Sequence, residues 1–117
     1  FGKIMLQCHQ AIQSLEADGI SVELIDLRTV RPIDYQTIID SIKKTNRLVV
    51  VEEAWPLASL SSEISYWAQK YAFDYLDAPV TRVTSRDVPL PYASTLVDAY
   101  LPSVKRIIEA VKTVSYK

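Results

Sequence analysis

Glycine is almost absent from this chain, which has only Gly2 and Gly19 among its 117 residues. Phosphate-binding loops need closely spaced glycines, because the backbone must wrap tightly around the anion. The G-x-S-x-G turn that presents a nucleophilic serine is also missing from the sequence. The chain therefore has neither the signature of a nucleotide-binding loop nor that of a serine hydrolase.

The chain also has very little cysteine and very little net charge. The single Cys8 excludes an internal disulfide and a cysteine-rich zinc site, which fits a reducing, intracellular compartment. No apolar run approaches the roughly 18 residues of a membrane span, and the first residues lack a signal-peptide pattern. The formal net charge is −1, so there is no basic field for nucleic-acid phosphates. We predict a soluble chain that binds neither membranes nor nucleic acids.

The chain is long enough for a single domain over residues 1–117, with its own apolar core. Helical and strand-like patterns alternate along it. The predicted elements are a helix over 3–18 ended by Gly19, a strand over 20–27, a helix capped by Asp34, a strand over 47–53, a helix beginning at the serines Ser59, Ser61 and Ser62, a strand over 79–85, an extended loop over 86–93 and a last helix opened by Pro102.

This order predicts an α/β fold, in which an open, mainly parallel sheet is flanked by helices in three layers. The stretch "RLVVVEE" is apolar on both faces, as expected for a strand buried inside a parallel sheet. Three strands make a narrow sheet for four helices, and the chain opens with a helix. We therefore expect that a first strand precedes Phe1 in the full protein and is missing from this fragment.

Glu52 and Glu53 end a predicted strand, which is where open α/β sheets bind their ligands. In a free-standing, flavodoxin-like enzyme or ligand-binding domain, these carboxylates could perform acid–base chemistry. The usual companions of such a site are missing, so a turn or a subunit contact is the favoured interpretation. His9 and Cys8 are helix neighbours that point about 100° apart, which disfavours a nucleophile pair. We predict no catalytic, cofactor-binding or metal-binding residue in the chain.

Two loops with prolines flank the third predicted strand. The stretch "YLDAPV" carries Asp77, and "DVPLPYA" carries Asp87. An acidic group on a rigid loop is well suited to protein recognition. The spacing alone leaves open the alternative that Asp77 merely caps a turn.

Several separate motifs give the chain a family resemblance. The stretches "VELIDLRTVRPID", "KKTNRLVVVEEAWP", "SSEI", "AFDYLDAPVTRVT" and "DVPLPYA" occur in this order. Together they resemble the C-terminal, transketolase-like domain of the β subunit of pyruvate dehydrogenase E1 components, over nearly the whole chain. "DVPLPYA" is closer to the pyruvate enzymes than to the branched-chain 2-oxoacid enzymes. The family commonly has glycines at or near the positions of Ala54, Ser59, Ser61 and Ser85.

The resemblance implies a 2-oxoacid dehydrogenase complex whose E1 enzyme uses thiamine diphosphate and magnesium, both bound outside this domain. The fragment alone would be non-catalytic. The implied partners are the E1 α subunit, a second β subunit in an α2β2 heterotetramer, and the subunit-binding domain of the dihydrolipoyl acyltransferase. Asp77 and the C-terminal Lys117 match the family's docking positions. "VEEAWP" with "SSEI" favours a bacterial, cytoplasmic protein over one of the mitochondrial matrix.

Overall fold

A computed structural model describes residues 1–116. Its helices are α1 (Met5–Ala17), α2 (Tyr35–Thr45), α3 (Leu60–Ala72), α4 (Ser94–Tyr100) and α5 (Val104–Val114), and its strands are β1 (Val49–Val51) and β2 (Thr81–Val83). Single 3-10 turns over Gly2–Ile4 and Phe73–Tyr75 precede α1 and follow α3. The two strands pair in parallel, with Val50 opposite Arg82. Lys117, a predicted partner-binding residue, lies outside the described residues.

Helices cover both faces of the sheet, which confirms the predicted α/β fold. Successive side chains of a strand point to opposite faces, so β1 serves two cores. Val49 and Val51 pack with α1 and α5 around the buried residues Ile4, Cys8, Ala11, Val83, Ile107 and Ala110. Val50 packs with α2 and α3 around Ile38, Ile42, Ile64, Ala68 and Ala72.

Local capping explains where the helices begin and end. The Asp34 carboxylate accepts the Thr37 backbone N–H at 3.1 Å, as predicted for the N-cap of α2. Gly19, with φ of +81°, follows the end of α1 in the left-handed region that glycine tolerates best. Pro102 does not open α5, because Ser103 is its N-cap and accepts the Arg106 N–H at 3.2 Å. The predicted start of that helix is therefore slightly early.

The strand predicted over residues 20–27 is not formed. The side chains of this segment do alternate in direction, as in an extended chain. Leu24 packs against the core formed with α1 and α5, whereas Ile25 and Leu27 pack against the core formed with α2 and α3. A cavity of about 250 Å³ lies between this segment and β1. Within residues 1–116, no backbone hydrogen bond involves residues 21–27. A strand needs a neighbour at pairing distance, so the sheet formed by residues 1–116 has two strands where three were expected.

Helix α4 was not predicted. The proline-containing loop 86–93 precedes it and forms neither helix nor strand, but it is not extended throughout as expected: it bends at residues 87–88 and 92–93, and the Val88 N–H donates to the Arg86 carbonyl oxygen at 2.9 Å. Tyr100 is buried at the end of α4, and its backbone carbonyl oxygen accepts a hydrogen bond from the Arg86 N–H at 3.0 Å. This bond fastens the end of the helix to the start of the loop.

Candidate functional site

Asp77 lies in the loop between the 3-10 turn Phe73–Tyr75 and β2, and its backbone is held on both sides. Its N–H donates to the Asn46 carbonyl oxygen at 2.8 Å, and its own carbonyl oxygen accepts the Tyr116 hydroxyl at 2.9 Å. The Asn46 side-chain amide also donates to the Tyr75 carbonyl oxygen at 2.9 Å. The loop is therefore tied both to the end of α2 and to the chain just beyond α5.

The carboxylate of Asp77 is left available by this arrangement. The side chain is 58% exposed, and it accepts no hydrogen bond within residues 1–116. Arg47 Nη2 lies 4.0 Å from Asp77 Oδ2, but Arg47 is itself held through Nε, which donates to the Val114 carbonyl oxygen at 2.8 Å. An ion pair of this length between partly exposed groups is weak. The turn is made by the backbone of Asp77, which disfavours a capping role for its side chain.

Exposed aromatic residues precede Asp77 in the chain and form what we call the aromatic patch: Tyr66, Tyr71, Phe73 and Tyr75. Lys70 Nζ lies 5.2 Å from the centre of the Tyr71 ring and 5.9 Å from that of Tyr66. These cation–π contacts restrain the long lysine side chain over the rings. Exposed aromatic side chains are enriched in protein interfaces, so the surroundings of Asp77 resemble an interface more than an ordinary loop.

Glu52 has a structural position rather than a catalytic one. It is only 4% exposed, and its Oε1 accepts the backbone N–H of Ser61 in the first turn of α3 at 3.1 Å. The N-cap residue Ser59 makes no side-chain capping bond, so Glu52 supplies the missing acceptor from the end of β1. Glu53 is exposed, whereas Glu52 is buried. The two carboxylates therefore do not form a paired acid–base site.

The serines after β1 are engaged by Arg82 of β2, a residue that the sequence reading missed. Arg82 Nη1 donates to the Pro56 carbonyl oxygen at 2.6 Å and to Ser62 Oγ at 2.8 Å. Ser59 Oγ lies 2.8 Å from Ser61 Oγ. These hydroxyl groups fix the turn between β1 and α3. A lone charge within an apolar strand was the only signal in the sequence for this role.

Cys8 and His9 do not form a reactive pair. Burial raises the pKa of the Cys8 thiol, and the chain's N-terminal charge lowers it by less. His9 is exposed on the surface of α1, while Cys8 lies in the core. Among residues 1–116, no three His, Cys, Asp or Glu side chains come together as a candidate metal site. No described helix is long and apolar enough to cross a membrane.

Comparison with known proteins defines the class. The family model for the transketolase C-terminal domain matches residues 1–107, so the chain belongs to that family. A solved structure described as a split-gene transketolase, in an inactive β4 tetramer, has a TM-score of 0.81 to this chain. The match covers 97% of this chain and 35% of that one, at 24% identity, and shows that the two share a fold.

Within this family, the chain is similar to β subunits of pyruvate dehydrogenase E1 components, which confirms the resemblance seen in the sequence. Over all 117 residues it is 50% identical to the protein of Rhizobium meliloti and 47% identical to the mitochondrial protein of Dictyostelium discoideum. It is 53% identical over 106 residues, 91% of the chain, to that of Rickettsia conorii. The chain spans 25%, 33% and 32% of the lengths of these relatives.

Proposed function

We propose that this chain is the assembly and docking domain of the β subunit of a thiamine-dependent pyruvate dehydrogenase E1 enzyme. The similarity to E1 β subunits supports the enzyme class. One observation supports docking. The Asp77 carboxylate is exposed, while the N–H and the carbonyl oxygen of the same residue are both held by hydrogen bonds, to Asn46 and Tyr116. The proposed partner at Asp77 is the subunit-binding domain of the dihydrolipoyl acyltransferase, and other surfaces contact the E1 α subunit and a second β subunit.

The physical argument for docking is preorganisation. A loop that is already ordered loses little conformational freedom on binding, so more of the interaction free energy appears as affinity. A basic partner can make charge-assisted hydrogen bonds to Asp77, which contribute about 1.5–3 kcal/mol where a neutral bond gives about 1 kcal/mol. Arg47 competes only weakly for the carboxylate, because its Nε is engaged with Val114. The aromatic patch adds rigid apolar area beside the charge.

Thiamine diphosphate and magnesium bind in the rest of the enzyme in this proposal. The residues described here do not fit a magnesium site, because among them no three potential ligands converge. The motifs "VEEAWP" and "SSEI" support a bacterial, cytoplasmic enzyme, while the relatives include both bacterial and mitochondrial proteins.

The test is Asp77→Ala in the full β subunit assembled with its α subunit. Docking on the isolated subunit-binding domain, measured by surface plasmon resonance, should weaken roughly 10- to 100-fold, mostly through a faster off-rate. Asp87→Ala is the matched control, since Asp87 is also an exposed acidic residue on a proline-containing loop. It should leave docking unchanged.

Two further readouts separate docking from a structural role. Decarboxylation of pyruvate by the uncomplexed enzyme should be unaffected by Asp77→Ala, and added salt should narrow the difference in docking between wild type and variant. The docking proposal is wrong if Asp77→Ala lowers decarboxylation while binding to the acyltransferase domain stays the same.

A further inference from the structure

The aromatic patch lies on the outer side of α3 and on the 3-10 turn that follows it, around an open concavity of about 500 Å³. Of its side chains, Phe73 is 66% exposed and Tyr66 is 54% exposed. The concavity is lined by the four aromatic residues of the patch together with Gln69, Lys70 and Asp74. The solvent face of an amphipathic helix normally carries polar side chains, so exposed rings around a concavity indicate a contact surface.

The rings of the patch are held in place before any ligand binds. Trp67 of α3 stacks on Tyr35, the first residue of α2, with ring centres 3.9 Å apart and planes 9° apart. The ring of Tyr71 follows at 4.5 Å from Trp67, so it is supported by a stack that joins two helices. Lys43 Nζ of α2 lies 5.3 Å from the centre of the Tyr75 ring. Side chains ordered in this way lose little conformational freedom on binding.

The patch also offers polar groups beside its ring faces. Among the hydrogen bonds formed within residues 1–116, the hydroxyl of Tyr116 donates one, whereas those of Tyr66, Tyr71 and Tyr75 donate none. These three hydroxyls can therefore donate to acceptors on a ligand. Asp74 supplies a carboxylate at the concavity. The matching ligand has apolar surface for the rings, free hydrogen-bond acceptors and a positive charge.

The size and the backbone of the patch restrict the kind of ligand. A buried aromatic side chain covers about 150–250 Å², so four half-exposed rings offer on the order of 400 Å². A stable interface between folded proteins needs about 800 Å² on each side, which disfavours a second copy of this chain. A bound helix has few free carbonyl groups, and a bound strand needs a free backbone edge. The patch lies on a helix and a helical turn, which have no such edge.

We propose that the aromatic patch binds a proline-rich segment of a partner protein, in the polyproline II conformation and with a basic residue that pairs with Asp74. This conformation has no internal hydrogen bonds, so its carbonyl oxygens can accept from the tyrosine hydroxyls. Proline has no N–H and needs no acceptor, and its ring packs on aromatic faces, as in other aromatic-lined grooves that bind such segments. Asp77 does not line the concavity, so the inference does not depend on docking through Asp77.

The test is fluorescence anisotropy of the full-length protein with a labelled peptide of repeated Pro-Pro-Arg units, about 12 residues long for four turns. Its all-D enantiomer is the matched control, because it has the same charge and composition but the opposite handedness. The L peptide should bind about tenfold or more tightly than the D peptide. Tyr66→Leu and Tyr71→Leu should each weaken binding about fivefold or more, since truncated tyrosines are common hot spots.

Three further variants locate the site. Tyr92→Leu changes a fully exposed tyrosine outside the patch and should leave peptide binding unchanged. Asp77→Ala should also leave it unchanged, which separates this inference from the docking proposal. Asp74→Asn should weaken binding of the arginine peptide but not that of a version with glutamine in place of arginine, because only the former has a charge to pair with Asp74.

Several results would overturn the inference. Equal affinities for the L and D peptides would mean that only charge attracts them, and no binding of either at millimolar peptide would exclude this kind of ligand. Self-association that Tyr71→Leu abolishes, without peptide binding, would assign the patch to a second copy. Weaker docking of Tyr71→Leu on the acyltransferase domain, again without peptide binding, would make the patch part of the Asp77 docking surface instead.

Discussion

The hydroxyl of Tyr116 donates a 2.9 Å hydrogen bond to the carbonyl oxygen of Asp77, 39 residues away in sequence. Because the Asp77 N–H is held at the same time by Asn46, the loop cannot shift toward either neighbour without losing a bond. The position of an exposed carboxylate thus depends on the chain just after α5.

Tyr116→Phe should loosen the Asp77 loop and weaken docking on the acyltransferase subunit-binding domain by roughly two- to tenfold, because one exposed hydrogen bond contributes about 0.5–1.5 kcal/mol. The measurement is the off-rate in surface plasmon resonance, with Tyr92→Phe as the control. Tyr92 is fully exposed, and its hydroxyl has no partner within residues 1–116. An unchanged off-rate in Tyr116→Phe, when Asp77→Ala has a large effect, would mean that Asn46 alone holds the loop.

Glu52→Ala should lower the free energy of unfolding by about 2–3 kcal/mol, because it leaves the buried Ser61 N–H without an acceptor and opens a void. Glu52→Gln keeps a side-chain oxygen and should cost less than Glu52→Ala. The exposed neighbour gives the control, and Glu53→Ala should stay within about 0.5 kcal/mol of wild type. Urea denaturation measures all three. Equal stability of the two alanine variants would show that Ser61 finds another acceptor.

Asn46 combines a left-handed backbone, with φ of +65°, and a side-chain hydrogen bond to the Tyr75 carbonyl oxygen. Asn46→Ala should lose both, at about 1–2 kcal/mol for the left-handed backbone and about 1 kcal/mol for the hydrogen bond. Asn46→Gly relieves the backbone cost and should be the more stable variant. Thermal unfolding of both proteins ranks them, and an alanine variant as stable as the glycine variant would contradict the argument.

The lowered pKa of Asp34 predicts that the stability of the protein depends on pH in a particular way. Hydrogen bonds from the Thr37 hydroxyl and then from its backbone N–H hold the pKa of Asp34 below its usual value. A carboxylate whose pKa is depressed by folding stabilises the protein above its unfolded pKa, about 3.9, and loses this effect as the pH falls through the folded pKa. The melting temperature of Asp34→Ala should therefore lie below that of wild type at pH 7, and the difference should shrink below about pH 4.

Asp34→Asn is the control for this pH dependence, since asparagine caps helices without titrating. Its melting temperature should lie between those of wild type and Asp34→Ala at pH 7. A difference between wild type and the alanine variant that stays constant down to pH 2.5 would rule out the carboxylate as its source.

Helix positions could be predicted from the sequence because their determinants are local. Asp34 bonds a backbone group three residues away, and Gly19 ends α1 through its own backbone conformation. The strand over residues 20–27 could not be predicted correctly, because alternation fixes an extended shape but not the presence of a pairing neighbour. Helix α4 has only seven residues, too few for a clear periodic pattern.

The candidate site was predicted in part. The sequence picked out Asp77 as an acidic residue on a loop with prolines, but it could not decide between a turn cap and an exposed carboxylate. That distinction depends on Asn46 and Tyr116, which are distant in sequence. The same holds for Glu52 and Arg82, whose partners lie on the turn and helix after β1.

The sequence Val49-Val50-Val51 raises a question of register, because a shift of one position would still leave valines at two of the three strand positions. Such a slip would exchange the faces of β1 at little cost to its valine contacts. It would, however, pull the Glu52 carboxylate away from the Ser61 N–H at the start of α3. The same slip would break the hydrogen bond from Arg47 to the Val114 carbonyl oxygen at the other end of the strand. The polar residues on either side of the valines, Arg47 and Glu52, therefore distinguish the native alignment of β1 from its nearest competitors.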